Sequence, residues 1–251
     1  MRYRLDISYD GAKYFGFQIQ PNKDTIQERL EYALEQVYRE KIDVVASGRT
    51  DAGVSAISQV CHFDTDATID ERRNVGYINS ILPSDIRVLG ITKVDDSFHA
   101  RKSAKEKTYM YNFYVGSEIP VYERIATNIG YNLDIDAMKE ACKYIEGTHD
   151  FTAFCASNTA VVDKTRTIYK LEIIEVDKNL YKMEVTGNGF LYNMVRIIMG
   201  TLVSVGMGKI KPIDIVDIIN SKDRSRAGKT MPAKGLILKK VLYSNVWLDK
   251  L

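Results

Sequence analysis

The sequence predicts an α+β protein made of two β-α-β-β-α-β units. Segments with a two-residue apolar period occur in both halves, helical apolar stripes fall between them in a matching order, and turn-forming residues punctuate the joins. In Arg2 to Tyr9, residues Tyr3, Leu5, Ile7 and Tyr9 alternate with Arg2, Arg4, Asp6 and Ser8, which predicts a half-buried strand ended by Asp10-Gly11. Thr25 and Glu28 have capping-box spacing. The stripe Ile26, Leu30, Ala33, Leu34, Val37 then predicts a helix. Ile42 to Ala46 and Ile57 to Phe63 read as strands, Ile69 to Ile81 as a helix closed by Pro83, and Ile86 to Val94 as a strand.

The second half repeats the order with different residues. Lys107 to Val115 alternates, with Tyr109, Tyr111, Phe113 and Val115 on one face. Ile135, Met138, Cys142 and Ile145 form a helical stripe, and Thr167 to Val176 and Tyr181 to Val185 form a hairpin through a turn at Asp177 to Asn179. Phe190 to Val205 reads as an apolar helix, Pro212 opens a short helix, and Leu236 to Tyr243 is the last strand. This order predicts two ferredoxin-like units with antiparallel sheets and helices on one face of each. The boundary falls between residues 1–104 and 105–251.

Composition narrows the class. The 251 residues are 45% hydrophobic and 27% charged, as in soluble globular proteins. The start alternates charged and apolar residues, unlike a targeting peptide. The most apolar window, Gly189 to Gly208, contains Asn193 and Arg196 and is not read as a membrane span. Cys61, Cys142 and Cys155 lack paired spacing, which predicts free thiols and a cytoplasmic location; His62, His99 and His149 do not complete a zinc pattern, so no metal is expected. The net charge is only +2, but base is concentrated locally. Lys222, Arg224, Arg226, Lys229, Lys234, Lys239 and Lys240 accompany one acid, Asp223, and Arg101 to Lys107 form a second cluster. Such clusters attract polyanions, or are merely solvated loops.

Three stretches carry candidate chemistry. In Ser47 to Ser55, "SGRTDAGVS", Gly48 and Gly53 permit positive φ and close backbone approach. Asp51 either shapes a turn there or, kept ionised by a cation such as Arg49, acts as nucleophile or base. Downstream, "VCHFDTDAT" has the D-x-D-x-T pattern of a Mg²⁺-dependent phosphohydrolase of the haloacid dehalogenase type, with Asp64 and Asp66 as nucleophile and acid. The expected antiparallel strands and the lack of a later paired-acid motif count against it. "GMGKI" lacks the first glycine and the Ser/Thr of a P-loop, which excludes that mode of nucleotide binding. Arg196, among Met194, Val195, Ile197 and Ile198, either reaches the surface or needs a carboxylate, for which Asp51 is the natural candidate.

The blocks "YDGAKYFGFQIQP", "SGRTDAGVSA", "QVCHFDT", "FHARKSAKEKTYMY", "HDFTAFCA", "GFLYNMVRIIMG" and "RAGKTMPAKGLIL" occur in an order that resembles the TruA family of tRNA pseudouridine(38–40) synthases, nearly end to end. The resemblance implies Asp51 as the nucleophile of uridine isomerisation, without cofactor or metal. It implies Arg49 holding or replacing the flipped nucleotide, Tyr109 stacking on the uracil, Arg196 as partner of Asp51, and Leu236 as an apolar wall. It also implies a homodimer binding the tRNA anticodon stem-loop, with an RNA-binding cleft between the two units of each chain. Ser55 stands where the family block usually has histidine, and Phe17 where it often has tryptophan. A non-catalytic RNA-binding protein of the same fold is the remaining alternative, and the intact Gly48 to Gly53 block argues against it.

Overall fold

In the computed structural model, which describes residues 1–157 and 159–244, the first alternating segment is strand β1 (Arg2–Tyr9), and Tyr3, Leu5, Ile7 and Tyr9 are its buried face. There follow α1 (Ile26–Tyr38), β2 (Val45–Ala46), β3 (Ser55–Asp64), α2 (Glu71–Ile81) and β4 (Ile86–Val94). The chain continues through β5 (Ala104–Val115), β6 (Thr127–Ile129), α3 (Ile135–Ile145), β7 (Gly147–Asp150), β8 (Thr165–Asp177) and β9 (Leu180–Gly187). It ends with α4 (Met194–Gly206), α5 (Asp214–Ser221) and β10 (Leu236–Tyr243). The fold class is α+β. Two compact units divide it: Met1–Glu106 together with the chain from Ile237, and Lys107–Leu236. The change-over is at Glu106/Lys107, two residues past the expected boundary, and the last strand groups with the first unit.

In the first unit the strands are ordered β4-β1-β3-β10, with β2 on β3. β1 pairs antiparallel with β3, from Arg2↔Asp64 to Tyr9↔Ala56, and with β4 on its other side. β10 departs from the expected antiparallel pattern. It lies parallel to β3 at Ile237↔Ser55 and Leu238↔Ala56, which the whole intervening second unit makes sterically possible. The core holds Leu5, Ile7, Leu30, Leu34, Val60, Phe63 and Ile78. The Thr25 side chain accepts from Glu28 N–H and starts α1 as expected.

In the second unit the order is β5-β9-β8-β7, and β6 lies parallel to β5. Tyr111, Phe113, Met138, Ile145, Met183, Val185, Ile197, Ile198 and Leu202 are buried there. β6 and β7 are too short to show apolar alternation in the sequence. Two expected elements begin well after the positions read. Ile42 and Val44 are buried but not in a strand: Val44 N–H donates to Glu31 Oε1 (2.9 Å) and its carbonyl accepts from Gln27 Nε2 (3.2 Å), so α1 side chains replace strand partners. The apolar run from Phe190 becomes helical only at Met194, because Asn193 is left-handed at φ 59°.

Buried His62 on β3 is held neutral. Its Nδ1 accepts from Ala100 N–H (3.1 Å), and burial, then the charges of Arg2 and His99, push its pKa from 6.5 to about 4. The unfolded chain therefore takes up the proton first. The stabilisation is complete above 6.5 and is lost as pH falls towards about 4. Urea unfolding across that interval is expected to show a smaller pH dependence of stability in His62→Asn than in wild type, and equal slopes would refute the assignment.

Candidate active site

The loop between β2 and β3, residues 47–54, is built mainly on backbone contacts. Ser47 N–H donates to the Val60 carbonyl (2.7 Å), and buried Gln59 bonds the Ser47 hydroxyl and, through Nε2, the Gly48 carbonyl (2.9 Å). Thr50 is buried, with its hydroxyl 2.8 Å from Tyr9 OH. Val54 N–H returns to the Asp51 carbonyl (3.1 Å), which closes a turn over Gly53 at φ 80°. Gly48, which could also take positive φ, does not adopt it. Asp51, the first residue of this turn, is half-buried, and Arg49, two residues before it, is exposed.

The segment after β1 clasps this loop. Phe17 N–H donates to the Thr50 carbonyl (3.0 Å), Gly53 N–H to the Tyr14 carbonyl (3.3 Å), and Gly11 N–H to Ser55 Oγ (3.0 Å). Ser55 Oγ also lies 3.4 Å from Asp10 Oδ1, so this residue ties the two loops together. Tyr14 OH donates to Asp85 (2.6 Å), and burial followed by that bond raises its pKa strongly. The next bonds, Ile26 N–H to Gly16 O (3.2 Å) and Gln27 N–H to Phe17 O (2.9 Å), join the clasp to α1. The sequence marks Asp10-Gly11 as the end of β1 and Phe17 as a change from the family block, but predicts no contact with the Asp51 loop. The available signal was two glycines among buried aromatics, Tyr14 and Phe17, in a stretch with no helical or strand period.

Tyr109, Arg196 and Leu236 belong to the second unit. Tyr109, on β5 opposite Val185, is 8% exposed and meets the Phe190 ring edge to face, with centroids 5.1 Å apart. Arg196, in the first turn of α4, donates from Nε to the Met231 carbonyl (2.7 Å) and from Nη1 to Asn193 Oδ1 (2.8 Å). Leu236 is buried at the start of β10. Tyr111 OH donates to the Pro232 carbonyl (2.7 Å) and lies 2.8 Å from Thr127 Oγ1. Burial pushes the Tyr111 pKa up to about 12, against the effects of the Thr127 bond and the Arg196 charge.

The C-terminal basic run is less available than its sequence suggests. Lys222 pairs with Asp150 (2.8 Å), Lys234 with Glu123, and Arg224 bonds Ala227 O and Thr230 Oγ1. Arg226, Lys229 and Lys240 are exposed, as are Arg101, Lys102 and Lys105 of the other cluster. The phosphohydrolase reading meets a different environment from the one it needs. Asp64 ends a strand whose neighbours β1 and β2 are antiparallel, and both its oxygens accept from Arg2, at 2.9 and 2.7 Å. That fork holds the Asp64 carboxyl below the usual carboxylate range.

Gly16 is where the clasp tolerates least. It sits at φ 93°, and a Cβ there would stand 2.8 Å from the Thr50 carbonyl oxygen. Gly16→Ala is expected to lower unfolding free energy by about 1–3 kcal/mol, measured in urea, from overpacking and left-handed strain combined. An unchanged midpoint would show that the clasp does not hold the loop.

Comparison with known proteins places this geometry in a family. The sequence profile described as tRNA pseudouridine synthase matches residues 7–101 and 141–244. The chain is 48% identical over 248 residues to tRNA pseudouridine synthase A of Bacillus licheniformis, covering 98% of this chain and 100% of that protein. The enzyme of the same name from Bacillus subtilis gives the same identity and coverage, and that of Brevibacillus brevis is 45% identical over 243 residues, 96% of this chain and 99% of the other. With an aspartate on a clasped glycine loop and relatives that match from end to end, this chain belongs to the tRNA pseudouridine synthase family.

Proposed function

We propose that the protein converts uridine to pseudouridine at positions 38, 39 and 40 of the tRNA anticodon stem-loop, with Asp51 as nucleophile. The observation that carries this reading is the loop that bears Asp51: it is fixed by backbone bonds on both sides, in a chain that matches tRNA pseudouridine synthases along its length. A carboxylate on a rigid loop has little freedom to lose when it meets a sugar or base carbon. The reaction exchanges the N1–C1′ bond for a C5–C1′ bond. C5 loses its proton and N1 gains one, so no oxidant or reductant enters the balance.

The remaining residues are assigned by the resemblance. Arg196 is the cation that favours ionised Asp51. Tyr109 stacks on the uracil, Leu236 is an apolar wall, and Arg49 holds or replaces the nucleotide that leaves the stack, a step that costs a few kcal/mol. The exposed bases Arg101, Lys102, Lys105, Arg226, Lys229 and Lys240 suit phosphate contacts, which make binding salt-dependent. A cytoplasmic homodimer completes the proposal. Among the described residues no helix is long and apolar enough to cross a membrane.

The test is pseudouridine formation on an unmodified tRNA transcript in EDTA, read by carbodiimide adducts and primer-extension stops. Wild type and Asp64→Ala are expected to give stops at uridines 38 to 40, and Asp51→Asn none. Stops with Asp51→Asn would move the chemistry elsewhere. An inactive wild type would overturn the isomerase reading.

A further inference from the structure

Helix α4 begins in an unusual way. Asparagine is a favoured N-cap residue, normally extended, with its side chain accepting from an N–H of the first turn. Asn193 is instead left-handed, at φ 59° and ψ 7°, and its side chain makes no capping bond. Its Oδ1 accepts from Arg196 Nη1 at 2.8 Å. The helix forgoes a cap worth about 1 kcal/mol, and the carboxamide is spent on an arginine three residues on. That arginine also stands in the first turn, where the helix dipole disfavours a cation.

The second acceptor is delivered with equal definition. Gly200 on α4 meets residues 228–230 so closely that a Cβ on it would fall 1.8 Å from the Lys229 carbonyl oxygen. Gly228 N–H donates to Thr201 Oγ1 (2.9 Å), and Met231 N–H to the Arg196 carbonyl (3.2 Å). The Met231 carbonyl thereby reaches Arg196 Nε at 2.7 Å, and Tyr111 OH holds the next carbonyl, that of Pro232. Two acceptors on two different nitrogens define the plane of a guanidinium, because its donors form a rigid fork.

We propose that Asn193 is a positioning residue: its carboxamide oxygen, together with the Met231 carbonyl, sets the orientation of the Arg196 guanidinium. Its catalytic consequence rests on the isomerase reading, in which Arg196 serves Asp51; the geometry does not.

Two variants separate this role from helix architecture. Asn193→Gly keeps the left-handed backbone and removes the acceptor. Asn193→Asp keeps a short acceptor that tolerates the same conformation. In single-turnover assays on the tRNA transcript, Asn193→Gly is expected to slow the reaction on the order of 10- to 100-fold, with tRNA affinity nearly unchanged, and Asn193→Asp to recover most of the rate. In parallel, NMR of the Arg196 guanidinium is expected to show slow rotation about Nε–Cζ in wild type and faster rotation in Asn193→Gly. A glycine variant with the wild-type rate and slow rotation, or an aspartate variant as impaired as the glycine one, would overturn the proposal. If wild type formed no pseudouridine, the isomerase reading would fail by itself, and the rotation measurement would still decide the positioning role.

Discussion

Phe17 N–H donates to the Thr50 carbonyl and Gly53 N–H to the Tyr14 carbonyl, and through these two bonds the loop that carries Asp51 becomes an extension of the first unit's core. An isolated loop of eight residues rich in glycine and polar side chains would lose much conformational entropy on ordering. Here that cost is offset by neighbours that are already ordered: β1 before the clasp, α1 after it, and β3 beyond the loop. Thr50 contributes from inside, where it is buried against Tyr9. Asp51 is thus held between the anchored Thr50 and Gly53, and the residue remains half-buried at the turn.

The second unit solves a different problem, that of a cation among apolar residues. Met194, Val195, Ile197 and Ile198, the chain neighbours of Arg196, are buried, and Arg196 itself is half-buried. A guanidinium in such surroundings is tolerated only with acceptors in good geometry. A backbone carbonyl from a distant segment and a carboxamide from the helix start supply them. The carbonyl depends on helix α4 meeting residues 228–231 without side chains at Gly200 and Gly228. Charge elsewhere in this unit is sorted by the same logic: Lys222 and Lys234 are matched by Asp150 and Glu123, while Arg226 and Lys229 face solvent.

Periodicity and capping made most of the fold legible. The alternation of Arg2 to Tyr9, the Thr25 cap, the stripe of α3 and the last strand appear where the sequence put them. The misses have local causes. Ile42 to Val44 looks like a strand, but the backbone partners of Val44 are side chains of α1, and such partners carry no period. Phe190 to Tyr192 continues an apolar stripe, yet one left-handed residue delays the helix. Of the candidate site, the Asp51 loop was visible because glycines bracketing an acid and a cation are informative as residue types. The clasp from Gly11 to Phe17 was not, since its bonds run through backbone atoms that every residue possesses.

The sequence alone determined the α+β class, the succession of elements in the first half, and the family, because these follow from apolar period, caps and blocks of residue identity along the chain. Only tertiary structure decided that β10 groups with the first unit and pairs parallel to β3, that Ser55 joins two loops, and that Asn193 bonds the Arg196 side chain of α4 instead of capping the helix. The first two depend on which groups meet across long separations, and the third on the left-handed backbone of Asn193. Hydrogen-bond donors and acceptors of the main chain are the same at nearly every position, so their pairing leaves no mark in the order of the side chains.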